Sequence, residues 1–334
     1  MSQKSFNTLT RITLVLAFFV VVLGAFVRLS NAGLGCPDWP GCYGKMIVPE
    51  ASIDVAHLYP ERPLEQGKAW KEMIHRYAAG TLGLLILTIT VLSWKYRRVS
   101  NQSVLIPTIL LGLVIFQAML GMWTVTLLLK PVIVMSHLLG GMTILSLLLW
   151  LVLEQSRDRR NIDLNNVRLF PWALAGLIMI IIQITLGGWT SANYAALVCP
   201  DFPTCQSSWW PHMDFIQGFK LWHKLGIDYE GGILAGDART AIHMTHRIGA
   251  ALAFIIIGSV SFRAIIDGNR TISLTGFALL FILLVQLGLG ISNVLLRLPL
   301  PIAVAHNAVA ALLLLVLVSL LHQTMRPAAN RRMI

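Results

Sequence analysis

Four histidines stand at matching places in the two halves of this chain. His75 and His246 each precede an arginine (Arg76, Arg247) and open an apolar segment. His137 and His306 each lie twenty residues after a glutamine (Gln117, Gln286) placed inside the preceding apolar segment. Polar, metal-binding side chains within hydrocarbon are costly and mark function. For one such histidine the plain alternative is a hydrogen-bonded packing residue. Four at repeat-equivalent positions argue against that for the set. Two imidazoles per half is what one axially ligated haem needs, so the pattern predicts two haem sites.

The residues around the histidines break the symmetry. His243 lies one helical turn before His246 and on the same face. Its repeat-equivalent is Glu72, three residues before His75. A carboxylate beside an iron site can take protons or stabilise a cationic intermediate; the other reading is a helix-start acid favoured by the macrodipole. The asymmetry makes the first half the candidate for chemistry and the second the candidate for a structural or electron-transfer haem. Arg76 and Arg247 suit haem propionates, since a guanidinium pairs well with carboxylates, or they snorkel at the interface. Gly80, Gly83, Gly140 and Gly141 would make room for a flat macrocycle, or permit ordinary close helix packing. His57, His212, His223 and His322 have no repeat partner and read as surface residues in loops or at a tail.

The elements that must position these residues are membrane helices. The chain has 334 residues, of which 56% are hydrophobic and only 12% charged, against about 25% charged in a soluble domain. Apolar runs long enough to span the bilayer fall near 12–29, 75–94, 104–128, 132–153, 170–190, 243–262, 272–296 and 302–322. The fold class is therefore all-α integral membrane, with eight transmembrane helices. The first run ends in Arg28-Leu29-Ser30-Asn31 without a small-x-small site, so it is a helix and not a cleaved signal. With eight spans both termini share one side. The tails and short loops of that side carry 14 Lys/Arg against four acids, which makes them cytoplasmic. The net charge of +11 is thus a topology signal, suited to anionic lipid and not to nucleic acid.

The chain is a duplicated four-helix unit. Gly24–Cys42 (GAFVRLSNAGLGCPDWPGC) and Gly187–Cys205 (GGWTSANYAALVCPDFPTC) agree at eight of 19 positions, and Gln117–His137 agrees with Gln286–His306 at eight of 21. An even helix count per unit makes these parallel repeats, related by an axis along the membrane normal. The domain division is 1–160 and 161–334, two four-helix bundles joined by the charged stretch Glu154–Arg168. Within each unit the first two helices are joined by a long outer loop, Asn31–Trp70 and Ser191–Arg239; loops of this length are functional or disordered, and tryptophan, proline and cysteine make these look like folded caps. His75 and His246 then fall near the outer ends of their helices. His137 and His306 fall one to two turns in, roughly 8 Å down at 1.5 Å per residue. All four cysteines lie in the caps, and the close pairs Cys36/Cys42 and Cys199/Cys205 read as two disulfides on an oxidising face. The alternative is one four-cysteine zinc site joining the two loops.

Gly24–Cys42, the stretch Glu72-Met-Ile-His75-Arg76, His137, His246-Arg247 and His306 together resemble the haem A synthase family, over nearly the whole chain. That resemblance implies oxidation of the C8 methyl of haem O to a formyl group, giving haem A for terminal oxidases. It implies a haem b cofactor in the C-terminal unit, with His246 and His306 as axial ligands, and substrate haem in the N-terminal unit. His75 and His137 would hold that substrate and Glu72 would be the catalytic carboxylate. The family's reaction is explained as two successive hydroxylations to a geminal diol that loses water. Its cysteine pairs are disulfides, the first of them tied to handling the substrate haem. Arg28, Asn31 and His243 acquire no role from it.

The partners that follow are haem O and haem A, membrane lipid and an electron donor of unidentified kind, since no G-x-G-x-x-G follows a strand. Haem O synthase, terminal oxidase assembly and a second copy of the chain complete the candidates. The short N-terminus with few basic residues argues for a bacterial inner membrane over a mitochondrion. Two other functions share the histidine pairs: a bis-histidine cytochrome that only relays electrons, and a haem transporter or chaperone. Glu72 without a counterpart, and the cysteine caps, favour the enzyme over the relay.

Overall fold

A computed structural model describes residues 3–50, 57–100, 104–156, 168–222 and 225–325. The linker over 157–167, residues 326–334 and His223 lie outside the described residues. Hydrocarbon offers no partner to a bare N–H or C=O, so each apolar run satisfies its backbone internally as a helix. Eight helices are long and apolar enough to cross a membrane. They are α1 (Gln3–Leu29), α2 (Gln66–Ser100), α3 (Leu105–Thr126), α4 (Pro131–Ser156), α5 (Phe170–Ala192), α7 (Gly236–Ile265), α8 (Arg270–Leu295) and α9 (Leu300–Thr324). A single turn, α6 (Phe215–Gly218), lies in the second long loop and is capped by the Asp214 carboxylate accepting from Gln217 N–H.

Local chemistry sets the helix ends. Prolines stand in the first turns of α4, α5 and α9, where a missing N–H costs nothing. Asn269 caps α8 by accepting from the N–H groups of Thr271 and Ile272. The tight hairpins end in paired left-handed residues, Leu128 and Leu129 after α3 and Arg297 and Leu298 after α8. Asn31 and Tyr194, repeat-equivalent, take the same left-handed step after α1 and α5.

The helices close into two rings. α1 packs on α2 and α4 while α3 packs on α2 and α4; in the second half α5 packs on α7 and α9 while α8 packs on α7 and α9. The rings meet through α4 against α9, α1 against α9, and α4 against α5. Exchanging the halves turns α1·α9 into α5·α4 and leaves α4·α9 unchanged, as a two-fold axis between the units requires. Arg28 marks that axis: its Nη2 donates to the carbonyl of Ser191, its own repeat-equivalent, at 2.6 Å, and its guanidinium sits 4.2 Å above the Tyr194 ring.

The tightest core lies away from the capped end, where Ile86, Ile89, Leu145, Leu148, Ile257, Leu279 and Leu317 are buried together. Nearer the caps the packing loosens. Residues 132–141 of α4 and 304–310 of α9 all keep part of their surface uncovered, over about two to three turns and on every face. His137 and His306 stand within these stretches.

Two helices differ from the expected spans in a way that matters. α2 and α7 begin nine and ten residues before His75 and His246, which places these histidines about 14–15 Å from the helix start, not at its end. The extra turns are not apolar, so hydropathy alone misses them. They are structured because they carry the caps: Ala69 and Met73 of α2 are buried against Cys36, Cys42 and Tyr43, and Met244 of α7 against Cys199 and Cys205. The caps are also tied to each other, by Arg62 of the first with Asp228 and Glu230 of the second.

Candidate functional site

Each cap is built around one short motif. Cys36–Cys42 and Cys199–Cys205 are disulfides, which removes the zinc alternative. The aspartate in Cys-Pro-Asp then folds the turn that follows. Asp38 accepts from Tyr43 N–H at 2.6 Å and Gly44 N–H at 2.7 Å, and Asp201 from Gln206 N–H at 2.7 Å and Ser207 N–H at 2.9 Å. The Thr204 hydroxyl and these N–H groups hold the Asp201 carboxyl below its ordinary range, while burial pushes the Tyr43 phenol up. A thiol count is expected to give no free thiol without reductant and four with it; four free thiols at the outset would contradict the pairing.

The arginine after each first histidine clamps the cap. Arg76 Nη1 donates to the carbonyls of Asp38 at 2.9 Å and Pro40 at 3.3 Å, and also to Gly41. Arg247 does the same for Thr204 at 2.7 Å, Asp201 at 2.8 Å and Cys199 at 3.3 Å. Both gather carbonyls of the disulfide loop, a task for a fork of fixed N–H groups.

Glu72 joins the same network. It is buried, its Oε1 meets Arg76 Nη2 at 2.6 Å, and its Oε2 accepts from Cys36 N–H at 2.9 Å. It stands six residues inside α2, so the macrodipole reading fails. In the second unit the place belongs to His243, equally buried, whose Nε2 lies 3.3 Å from Arg247 Nε. One cap is thus latched by a carboxylate and the other by an imidazole. Removing Arg76 would leave that carboxylate buried with one backbone donor, at a cost of about 3–5 kcal/mol. Arg76→Ala is therefore expected to raise hydrogen exchange over residues 36–46 by about two orders of magnitude or more, with Arg76→Lys giving little rescue. Unchanged exchange would show that the clamp is idle.

The histidines fall into two pairs. His75 and His137 stand on α2 and α4 of one ring, and His246 and His306 on α7 and α9 of the other. Each imidazole stands against a glycine on a neighbouring helix. A Cβ added at Gly24, Gly121, Gly187 or Gly290 would lie 3.0, 3.5, 3.2 or 3.2 Å from Cε1 of His75, His137, His246 or His306. These four glycines are two repeat-equivalent pairs. They seat the rings, whereas of the glycines singled out from sequence, Gly140 is covered by Gln117, Gly141 faces Val21, Gly83 only grazes Val114, and Gly80 faces open space.

The site fits a haem by the chemistry it leaves unspent. Nδ1 of His75, His137 and His306 is buried without a partner, and a buried ring nitrogen left unbonded is costly; the other ring nitrogen of His306, Nε2, stands 3.2 Å from the Gln286 amide. All four imidazoles are only partly covered, within the loosened stretch of each bundle. Among the described residues no three or more His, Cys, Asp or Glu side chains gather as a metal site; paired imidazoles are the donor set of axial ligation instead.

The remaining histidines separate. His57 is exposed, and His212 pairs with Asp237 at 2.9 Å. His322 departs from its surface reading: it is buried in the last turn of α9, edge-on to Trp150, with Nε2 3.2 Å from Glu154. The helix runs past the apolar segment, which buries it against α4 of the other unit.

Comparison with known proteins agrees with this construction along the whole chain. The profile of the COX15-CtaA family, described as cytochrome oxidase assembly protein, matches residues 7–318. A protein of Shewanella oneidensis named heme A synthase is 45% identical over 317 residues, covering 93% of this chain and 94% of its own. Proteins of the same name from a Caulobacter species and from Bacillus licheniformis are 27% and 25% identical, covering 94% and 91% of this chain and 94% and 91% of their own. Matches of this reach place the chain in the COX15-CtaA family of cytochrome oxidase assembly proteins, among the heme A synthases.

Proposed function

We propose that this chain is a multi-pass haem A synthase of the bacterial inner membrane, which oxidises the C8 methyl of haem O to a formyl group. One observation carries the division of labour: two imidazole pairs of the same build differ in that the first has a buried carboxylate one turn away and the second has His243. In this reading His75 and His137 hold the substrate haem. His246 and His306 hold haem b, which when bound supplies an electron-transfer centre. Both termini face the cytoplasm and the caps face outward, where the substrate's polar edge meets them.

The residues then have separate tasks. The methyl passes through a hydroxymethyl to a geminal diol, and loss of water leaves the formyl. Each oxidation releases protons, and Glu72 is the group beside the substrate pair able to accept one. Its two fixed partners, Arg76 and Cys36 N–H, orient the carboxylate. The Cys36–Cys42 disulfide holds that N–H in place, so the cap is part of the proton-handling site. The bundle around His137, loosely packed and open to lipid, suits a substrate with a long prenyl tail. Each hydroxylation takes its oxygen atom from water; its two protons go to Glu72 and solvent, and its two electrons leave to a separate redox protein that accepts them.

Pigment extraction from cells that make haem O but no haem A tests the reading. Cells given this chain are expected to accumulate haem A in their membranes. Haem O and haem b alone, without a hydroxylated intermediate, would support electron relay or haem transport instead.

A further inference from the structure

A fully buried cation stands where the two caps meet above the first ring of helices. Lys130 ends the α3–α4 hairpin, and its carbonyl accepts from the N–H groups of Ile133 and Val134 in the first turn of α4. Its side chain is 1% exposed. The first cap covers the hairpin through Leu34, and Gly33 beside it lies against Leu129. The second cap covers it through Tyr229, whose N–H donates to the Leu128 carbonyl at 3.1 Å. Trp222 of the second cap sets its ring centre 3.5 Å from Lys130 Nζ. Among the described residues none accepts a hydrogen bond from Nζ, although an ammonium carries three donors. The aromatic face offsets part of the lost hydration but supplies no opposite charge, and a buried charge without one is costly. The second unit is built otherwise. The alignment of Gln117–His137 with Gln286–His306 puts Pro299 at the place of Lys130, and nearby Arg297 is exposed. The buried ammonium belongs to one unit alone, the one that carries Glu72.

We propose that Lys130 is a substrate-orienting residue, whose ammonium takes one propionate carboxylate of the haem held between His75 and His137. This rests on the reading of that pair as the substrate's. Lys130 stands seven residues before His137, which is two turns and about 10 Å toward the caps, and on the same face of the helix. A haem with its iron at His137 extends its propionates in the ring plane, and that polar edge belongs at the capped, watery end. Arg76, next to His75, already gives its donors to cap carbonyls and to Glu72. In haem O the C8 methyl shares a pyrrole ring with one propionate. Pinning that propionate at Lys130 fixes the rotation of the macrocycle and turns the methyl toward the cap, the direction in which Glu72 lies from His75. The resident haem needs no methyl singled out, and its unit has no such cation. A lipid phosphate offers a similar charge, but cap residues and not lipid cover Lys130.

The test titrates haem O, and haem O with both propionates esterified, into purified full-length protein carrying haem b, followed by the low-spin difference spectrum. The parent is expected to bind the free acid about ten- to a hundredfold more tightly than the diester, the range of one hydrogen bond to a charged group. Lys130→Met should lose that preference and bind both forms as the parent binds the diester. Lys130→Arg should restore most of it, and Trp222→Leu should keep it. An unaltered haem b spectrum in these variants shows the fold intact. A parent that binds acid and diester equally overturns the proposal without any variant. So does a Lys130→Met protein that keeps the parent's preference, or that weakens both forms alike; Lys130 would then serve cap packing or a lipid phosphate. Loss of haem O binding from His75→Ala supports the substrate pair independently of Lys130. Binding there as tight as in the parent overturns that reading, and the proposal with it.

Discussion

Glu72→Ala is expected to abolish haem A formation while leaving haem b in the second half. A positioned proton acceptor contributes about 10²–10⁴-fold to such a reaction, so membranes carrying the variant should hold at most about a hundredth of the normal haem A. The structure also ties this carboxylate to Arg76 and to Cys36 N–H, and a loosened cap could lower activity by itself. Glu72→Gln separates the two effects. The amide oxygen can still accept from Cys36 N–H, so the cap should stay protected from hydrogen exchange while turnover falls. If Glu72→Gln kept full activity, or if Glu72→Ala made haem A normally, the proton-handling role would be wrong. If activity in every variant merely followed cap protection, Glu72 would be a latch and nothing more.

The four histidines should divide by pair. His246→Ala and His306→Ala are each expected to lose the stable reduced-minus-oxidised haem b spectrum, because a bis-imidazole iron stripped of one ligand lies in a buried site with no other donor at hand. Among the described residues no further His, Cys or acidic group clusters there; His243 already faces Arg247. His75→Ala and His137→Ala should keep that spectrum and lose haem A formation. The pairs sit in separate rings of helices, so damage in one ring does not remove ligands from the other. The reverse pattern, with haem b lost from the first pair's variants and kept in the second's, would exchange the roles of the two halves.

Much of this architecture is legible in the sequence for a simple reason. Membrane helices announce themselves by apolar length, and duplication lets each half check the other. The identities between Gly24–Cys42 and Gly187–Cys205 include the glycine that seats the histidine, and those between Gln117–His137 and Gln286–His306 include Gly121 and Gly290. Their purpose was hidden because a glycine in a membrane helix has many uses, and only the neighbouring ring shows which one applies. The helix starts of α2 and α7 were illegible to hydropathy, since Gln66–Glu72 and Gly236–Thr240 are held by the caps and not by lipid. The clamping of the caps by Arg76 and Arg247 was hidden in the same way. Their carbonyl acceptors come from loops thirty-five or more residues away, and no spacing rule connects the two.

The central claim is that one haem is transformed here while another stays, and mass spectrometry of the pigments in purified protein supplied with haem O measures it directly. Haem b is expected together with haem A or its C8 hydroxymethyl precursor, with the oxidised pigment absent from Glu72→Ala. Haem b with unaltered haem O from the unmodified protein would contradict it.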